Sequence, residues 1–282
     1  MLTILCTLAA LATPNSPVAG PVEKVADGFQ FTEGPVWTPD SGLLFSDIPA
    51  DTIYRADYRD DNRADKTAFR SPSGHSNGLV LDPNGRLIAC EHGNRRVTRT
   101  ETDGAITVLA DSYLGRKLNS PNDATVRSDG TIFFTDPPYG VAESERQLPF
   151  CGVYSIKPGG ELSLLSVYFS RPNGICLSPD EKTIYIADSQ DNFIQAYDLR
   201  EDGSLANSRL FCRCDNPDGI KADKQGNIWA ATANGIMTFR PDGSLAATIE
   251  VPEHPSNCAF GGEDGNTLFI TARNGLYKVR VK

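Results

Sequence analysis

A unit of about 45 residues recurs six times along this chain, and that recurrence limits its architecture more than any other feature. Each copy opens on an oxygen-bearing side chain, passes a small or kinked residue, and enters an apolar strand. The copies open at Glu33-Gly34-Pro35-Val36-Trp37, Asn77-Gly78-Leu79-Val80-Leu81 and Asn122-Asp123-Ala124-Thr125-Val126. They continue at Asn173-Gly174-Ile175-Cys176-Leu177, Asp218-Gly219-Ile220-Lys221-Ala222 and Asn257-Cys258-Ala259-Phe260. Successive openings lie 44, 45, 51, 45 and 39 residues apart. A period in this range belongs to a four-stranded propeller blade.

The rest of each unit agrees. A second strand follows a turn: Leu43–Asp47, Leu87–Glu91, Ile132–Asp136, Ile184–Asp188, Ile228–Thr232 and Leu268–Ala272. Turns such as Pro83-Asn84-Gly85 and Ser128-Asp129-Gly130 supply the positive φ that hairpins need. A third strand comes next, as in Thr52–Arg55 and Gly152–Ser155. Between Asn257 and Lys282 there is room for only three strands. The unpaired segment Val22–Ala26 is positioned to supply the missing one and close the ring. The chain therefore reads as all-β, a single six-bladed β-propeller over residues 21–282, its last blade closed by an N-terminal strand. Helical periodicity is absent after the N-terminal segment.

Residues 1–12, MLTILCTLAALA, form a short apolar run followed by small residues. It is too short to span a bilayer. It is similar to the apolar part of a secretory signal, without the basic start, since the first Lys or Arg is Lys24. Residues 1–20 are thus expected to be a signal peptide or a disordered start. A periplasmic or secreted location follows from the first reading, a cytoplasmic one from the second. No other stretch looks membrane-spanning. The chain carries 27 Lys plus Arg against 36 Asp plus Glu, and a surface of that sign repels nucleic-acid phosphates. Only 3 His are present, too few for a multi-histidine metal site. Six cysteines beyond Cys6 are scattered without a C-x-x-C pair, and are read as buried strand residues.

Innermost strands of a propeller surround a channel. If the six openings are equivalent, Glu33, Asn77, Asn122, Asn173, Asp218 and Asn257 converge near one end of it: two carboxylates and four amides. Such a convergence is costly without a partner. Oxygen-only donors suit a hard cation, Ca²⁺ before others, because it accepts irregular geometry. A hydrogen-bonded polar plug is the alternative, since Asn, Asp and Gly also begin ordinary turns.

These motifs, with Thr32–Trp37, His75–Leu79, Cys90–Val97, Asn119–Asp123, Phe134–Gly140, Arg171–Gly174 and Pro217–Ile220, resemble the gluconolactonase and regucalcin superfamily, and most of all its bacterial gluconolactonases. The resemblance runs from about residue 21 to the end. It implies a six-bladed propeller, one divalent cation on the axis and hydrolysis of sugar lactones. It places metal ligands at Glu33, Asn173 and Asp218, and a metal- or substrate-contacting amide at Asn122. Zn²⁺, Mn²⁺ and Mg²⁺ are alternatives to Ca²⁺. Where animal regucalcins carry a substrate-holding Arg, this chain has Ser120.

Opening a lactone needs a polarised carbonyl, a positioned water and a proton for the leaving alkoxide. Following the family, Asp218 is assigned as general base and Glu33 mainly as ligand, with the reverse as alternative. His75, two residues before an opening residue, is expected either at the channel mouth against substrate or as a partly buried histidine capping a strand or bonding a carbonyl. His92 is a candidate for a place near substrate or behind it, with a purely structural role as the alternative. His254 reads as a solvated loop residue. The longest spacing places an insertion at 137–150, begun by Asp136 and Tyr139, which either overhangs the channel and shapes the pocket or is a plain surface excursion. Gly74-His75-Ser76-Asn77-Gly78 matches the serine-hydrolase elbow G-x-S-x-G, but an elbow needs a following helix, and here strand, turn and strand follow. Competing functions are hydrolysis of another ester or an organophosphate on the same cation, and a non-enzymatic propeller that binds proteins.

Overall fold

Each repeat folds into one antiparallel four-stranded sheet in the computed structural model, which describes residues 17–39, 42–58 and 64–282. The first blade runs Thr32–Thr38, Gly42–Asp47, Thr52–Tyr58 and Ala64–Arg70, paired in that order. The next four blades repeat this order. In the sixth, Pro255–Gly261, Thr267–Ala272 and Gly275–Arg280 are joined by Glu23–Ala26, with Lys24 opposite Tyr277. Just before that strand, the Ala19 amide donates to the Arg280 carbonyl at 2.7 Å, and the Lys282 amide donates to Pro17 at 2.9 Å. The first strands neighbour one another in sequence order, and the first blade's lies against the sixth's, so the ring is complete. Among the described residues no helix is long and apolar enough to cross a membrane.

Apolar side chains are spent between the blades and not on the axis. Among the described residues six buried clusters each span one pair of neighbours. Leu44 and Ile53 of the first blade meet Leu79 and Ala89 of the second, for example, and Phe29 and Phe45 of the first meet Phe269 and Leu276 of the sixth. Strands such as Leu87–Glu91 and Ile132–Asp136 are buried along their whole length because both faces are covered. With the hydrophobic contacts taken up in these wedges, the inner rim is left to polar groups.

That rim is stitched from blade to blade by hydrogen bonds. The Gly78 amide donates to the Asn122 carbonyl at 2.8 Å, Gly174 to Asp218 at 3.1 Å, and Gly219 to Ser256 at 2.8 Å. Hydroxyls add to it: Ser46 to the Asn77 carbonyl at 2.8 Å, Thr135 to Asn173 at 2.7 Å, and Ser256 to Thr32 at 2.7 Å. The approach is close enough to demand glycine. A methyl group at Gly78 would sit 2.6 Å from both the Asn122 carbonyl oxygen and the Asp123 Cα.

Two segments depart from the plain repeat. The 137–150 insertion carries one 3₁₀ turn, Glu143–Glu145, and is tied down by its neighbours. Arg95 donates to the Glu145 carbonyl at 3.1 Å, and Asn119 to that of Phe150 at 2.9 Å. A small hairpin, Ser112–Tyr113 with Arg116–Lys117, rises between the second and third blades. It has no counterpart in the sequence reading, because its polar residues look like any inter-blade loop.

Candidate active site

At the end of the channel where the first strands begin lies a cavity of about 320 Å³. Five of the six opening residues line it: Glu33, Asn77, Asn122, Asn173 and Asp218. The sixth, Asn257, is buried behind Glu33. Its Nδ2 donates to Glu33 Oε2 at 3.1 Å, and its Oδ1 accepts the Cys258 amide at 2.9 Å. Ring closure thus brings together residues 185 positions apart, Glu33 and Asp218 (218 − 33).

The amides form a one-way chain. Asn77 Nδ2 donates to Asn122 Oδ1 at 2.7 Å, and Asn122 Nδ2 to Asn173 Oδ1 at 2.5 Å. Asn173 Nδ2 then donates to the Tyr139 hydroxyl at 3.3 Å. Each amide in the chain orients the next. His92 Nε2 sits at its head, 3.1 Å from Asn77 Nδ2 and 3.2 Å from Asn122 Oδ1. Burial pulls the His92 pKa down to about 4, which keeps the ring neutral at neutral pH.

The two carboxylates differ in how they are held. Glu33 is 3% exposed, and its Oε2 accepts both the Gly34 amide at 2.7 Å and Asn257. Its Oε1 has no hydrogen-bond partner among the described residues. Burial foremost, then the charge of Asp123, raises its pKa to about 7 against the pull of those donors and of Lys221. Asp218 is half-buried and opens onto the cavity. Burial and the charge of Glu33 hold its carboxyl well above the ordinary range, and a hydrogen bond from Asn173 opposes them. Deeper in the channel, Lys221 of the fifth blade reaches Asp123 of the third, Nζ to Oδ2 3.4 Å.

A divalent cation suits this donor set. Both carboxylates and the amide carbonyl of Asn173 are hard oxygen ligands, and the oxygen of Asn173 keeps a second lone pair beyond the Asn122 contact. Burial and mutual repulsion resist ionising both carboxyls in one cavity, and a dication would relieve that repulsion. Among the described residues no three His, Cys, Asp or Glu side chains cluster as ligands, so the third protein donor has to be an amide. Zinc, which prefers nitrogen and sulfur, is served less well.

Tyr139 and His92 line the cavity. His75 and Asp136 do not: His75 takes the carbonyl-bonding alternative, and Asp136 departs from its expected place against substrate. The His75 backbone adopts φ 52°, and its Nδ1 turns to the Ile48 carbonyl at 2.8 Å. Asp136 is fully buried and accepts the amides of Asn119 at 2.8 Å and Ser120 at 2.7 Å. Two other blades repeat that brace. Asp47 accepts the amides of Gln30 and Phe31, each at 3.0 Å, and Asp188 accepts that of Ser170 at 2.7 Å and that of Arg171. The carboxylate ending the second strand therefore holds the loop that delivers an opening residue, and Asp136 shapes the site without touching it.

His254, expected in solvent, is half-buried and lines the cavity, as do Phe31, Ile48, Asn216, Ser256 and Arg273. Phe31 and Asn216 stand two residues before Glu33 and Asp218, the offset that drew attention to His75. Reading that offset in every repeat would have found them. Arg273 follows the last blade's second strand, where no motif marks it.

The model of the SMP-30/gluconolactonase/LRE-like region matches residues 31–274. A gluconolactonase from Zymomonas mobilis is 36% identical, across 94% of this chain and 82% of that one. Bovine regucalcin is 28% identical, across 86% of this chain and 84% of its own. The solved gluconolactonase of Xanthomonas campestris superposes with a TM-score of 0.86 at 31% identity, covering 97% of this chain and 94% of that one. Together with a closed six-bladed ring whose blades begin in oxygen donors, these matches mean that the chain belongs to the SMP-30/gluconolactonase/LRE-like family.

Proposed function

We propose that this protein is a divalent-cation-dependent hydrolase that opens sugar lactones, glucono-δ-lactone among them, to the aldonic acid. The observation that carries the reading is the convergence of Glu33 and Asp218 on one cavity ringed by aligned amides. The names of the relatives support it. Glu33, Asn173 and Asp218 would hold the cation, most naturally Ca²⁺, which supplies polarisation of the lactone carbonyl.

The chain's own residues do the rest. Two donors clamp Glu33 Oε2, so Glu33 serves as a fixed ligand. Asp218 is open to the cavity, which suits it to accept a proton from water as the water oxygen bonds to the carbonyl carbon. As the acyl–oxygen bond of the ring breaks, Asp218 returns that proton to the departing alkoxide. Net, one water is added, and one hydroxyl and one carboxylic acid appear. The amide chain from Asn77 through Asn173 keeps Asn122 and Asn173 in register, and Tyr139 walls the pocket.

The decisive assay follows acid release from glucono-δ-lactone by chelator-treated protein as Ca²⁺, Zn²⁺ or Mn²⁺ is added back. Cation-dependent acid above the spontaneous rate is expected, and its absence with all three would overturn the reading. Export remains a proposal carried by residues 1–12, which lie outside the described residues. Fractionation of the producing cell tests it.

A further inference from the structure

Two guanidinium groups stand beside the cavity without an ion-pair partner, Arg273 near enough for its charge to act on Asp218. Arg273 lines the cavity and lies over the Phe31 ring, 5.5 Å from its centroid. Arg171 lies over the Tyr139 ring at 5.4 Å. Phe31 and Tyr139 themselves line the cavity, and Asp47 holds the Phe31 backbone, so both cations rest on walls of the pocket. Neither side chain makes an ion pair or a hydrogen bond among the described residues, although both residues are exposed. Other exposed arginines are paired, among them Arg280 with Asp264 and Arg209 with Asp198, each at 2.6 Å.

Charge counting sharpens the contrast. With a dication bound, the charges of Glu33 and Asp218 as ligands are cancelled by it. Arg273 and Arg171 then remain as net positive charge on a protein of net charge −9. A planar guanidinium stacked on a ring keeps its edge donors free for a bidentate anion. A neutral sugar lactone offers them hydroxyl acceptors but no charge to match theirs.

We propose that the preferred substrate is a lactone bearing an anionic substituent, a carboxylate or a phosphate, held by Arg273 with Arg171 while the ring carbonyl faces Glu33 and Asp218. This rests on the lactonase reading. It makes Arg273 a substrate-binding residue that selects by charge.

The test compares initial rates, with Ca²⁺ present, on neutral glucono-δ-lactone, on the carboxylate-bearing glucaro-1,4-lactone and on 6-phosphoglucono-δ-lactone. At least one anionic lactone is expected to show a KM tenfold or more below that of the neutral one, and which of them does so identifies the anion. In Arg273→Gln the advantage is expected to shrink at least tenfold, with Arg273→Lys retaining part of it. Calorimetry supplies a readout without turnover: glucose 6-phosphate should bind at least tenfold tighter than glucose, and lose that margin in Arg273→Gln. Equal KM values for all three lactones in the parent protein, or a change in Arg273→Gln that is the same for neutral and anionic compounds, would overturn the proposal while leaving the lactonase reading intact. Failure to hydrolyse any of the three would overturn both.

Discussion

Replacing Gly78 with alanine tests whether the blade-to-blade rim sets the geometry of the cavity. The new methyl group would lie 2.6 Å from the Asn122 carbonyl oxygen, the Asp123 Cα and Asp123 Oδ1. Carbon–oxygen contacts of this type rest at about 3.3 Å or more, so one blade must move by ~0.7–1 Å. Two of the three obstructing atoms are backbone, and no rotamer change removes them. The cost of such overpacking is about 1–3 kcal/mol, or roughly 2–10 °C in Tm for a chain of this size. Asn122 cannot move without dragging the amide chain, and a ~1 Å misplacement near reacting atoms lowers turnover by about 10²-fold. Scanning calorimetry and the acid-release assay read the two effects. Gly159→Ala is the control, since a methyl group there meets nothing within 4 Å, and it should melt and turn over like the parent. A Gly78→Ala protein indistinguishable from that control would refute the idea that inter-blade contact positions the donors.

Other perturbations probe separate parts of the molecule. Asp218→Asn should lower kcat by ~10²–10⁴-fold, and a rate within tenfold of the parent removes Asp218 as the base. Glu91 is fully buried and accepts Arg70, Arg96 at 2.7 Å, Asn94 at 2.6 Å and Thr98 at 2.7 Å. Glu91→Gln strands the Arg70 charge and should cost about 3 kcal/mol in urea unfolding; a loss below ~1 kcal/mol would show that the cluster holds little of the fold. His92 stays neutral in the folded protein down to about 4, whereas the unfolded ring takes up a proton below 6.5. Its contribution is therefore present above pH 6.5 and lost as pH falls through that interval, about 3 kcal/mol in all. The stability of His92→Gln relative to the parent should accordingly improve as pH drops from 7 to 4, and parallel pH curves would count against a buried neutral imidazole.

The ring and its donors were legible because both are periodic. Four of the six opening residues precede a glycine, and the geometry that demands glycine at Gly78, the neighbouring blade's backbone, is the same geometry that crowds the donors together. The rest of the site was obscure for the opposite reason. Arg273 directly follows its blade's second strand, the register that also brings Ile48 and His92 to the cavity, but the residue type differs in each blade and no shared motif marks it; His254 lies in a connection that varies from blade to blade. Asp136 misled because it was read alone. Beside Asp47 and Asp188 in the same position of two other blades, it belongs to a brace that lays down the mouth loops. His75 shares the right offset but follows Gly74, and the backbone there carries its ring toward Ile48.

The strand Glu23–Ala26 sits in the same sheet as the end of the chain, and Asn257 of that blade bonds Glu33 of the first. The pocket is consequently incomplete until the sixth blade has formed. Until the sixth blade emerges from the ribosome, Glu33 has no Asn257 behind it and the carboxylates lack a common enclosure. If the cavity holds a cation as proposed, a chain truncated within Pro255–Arg280 should fail to capture it even if five of its sheets form.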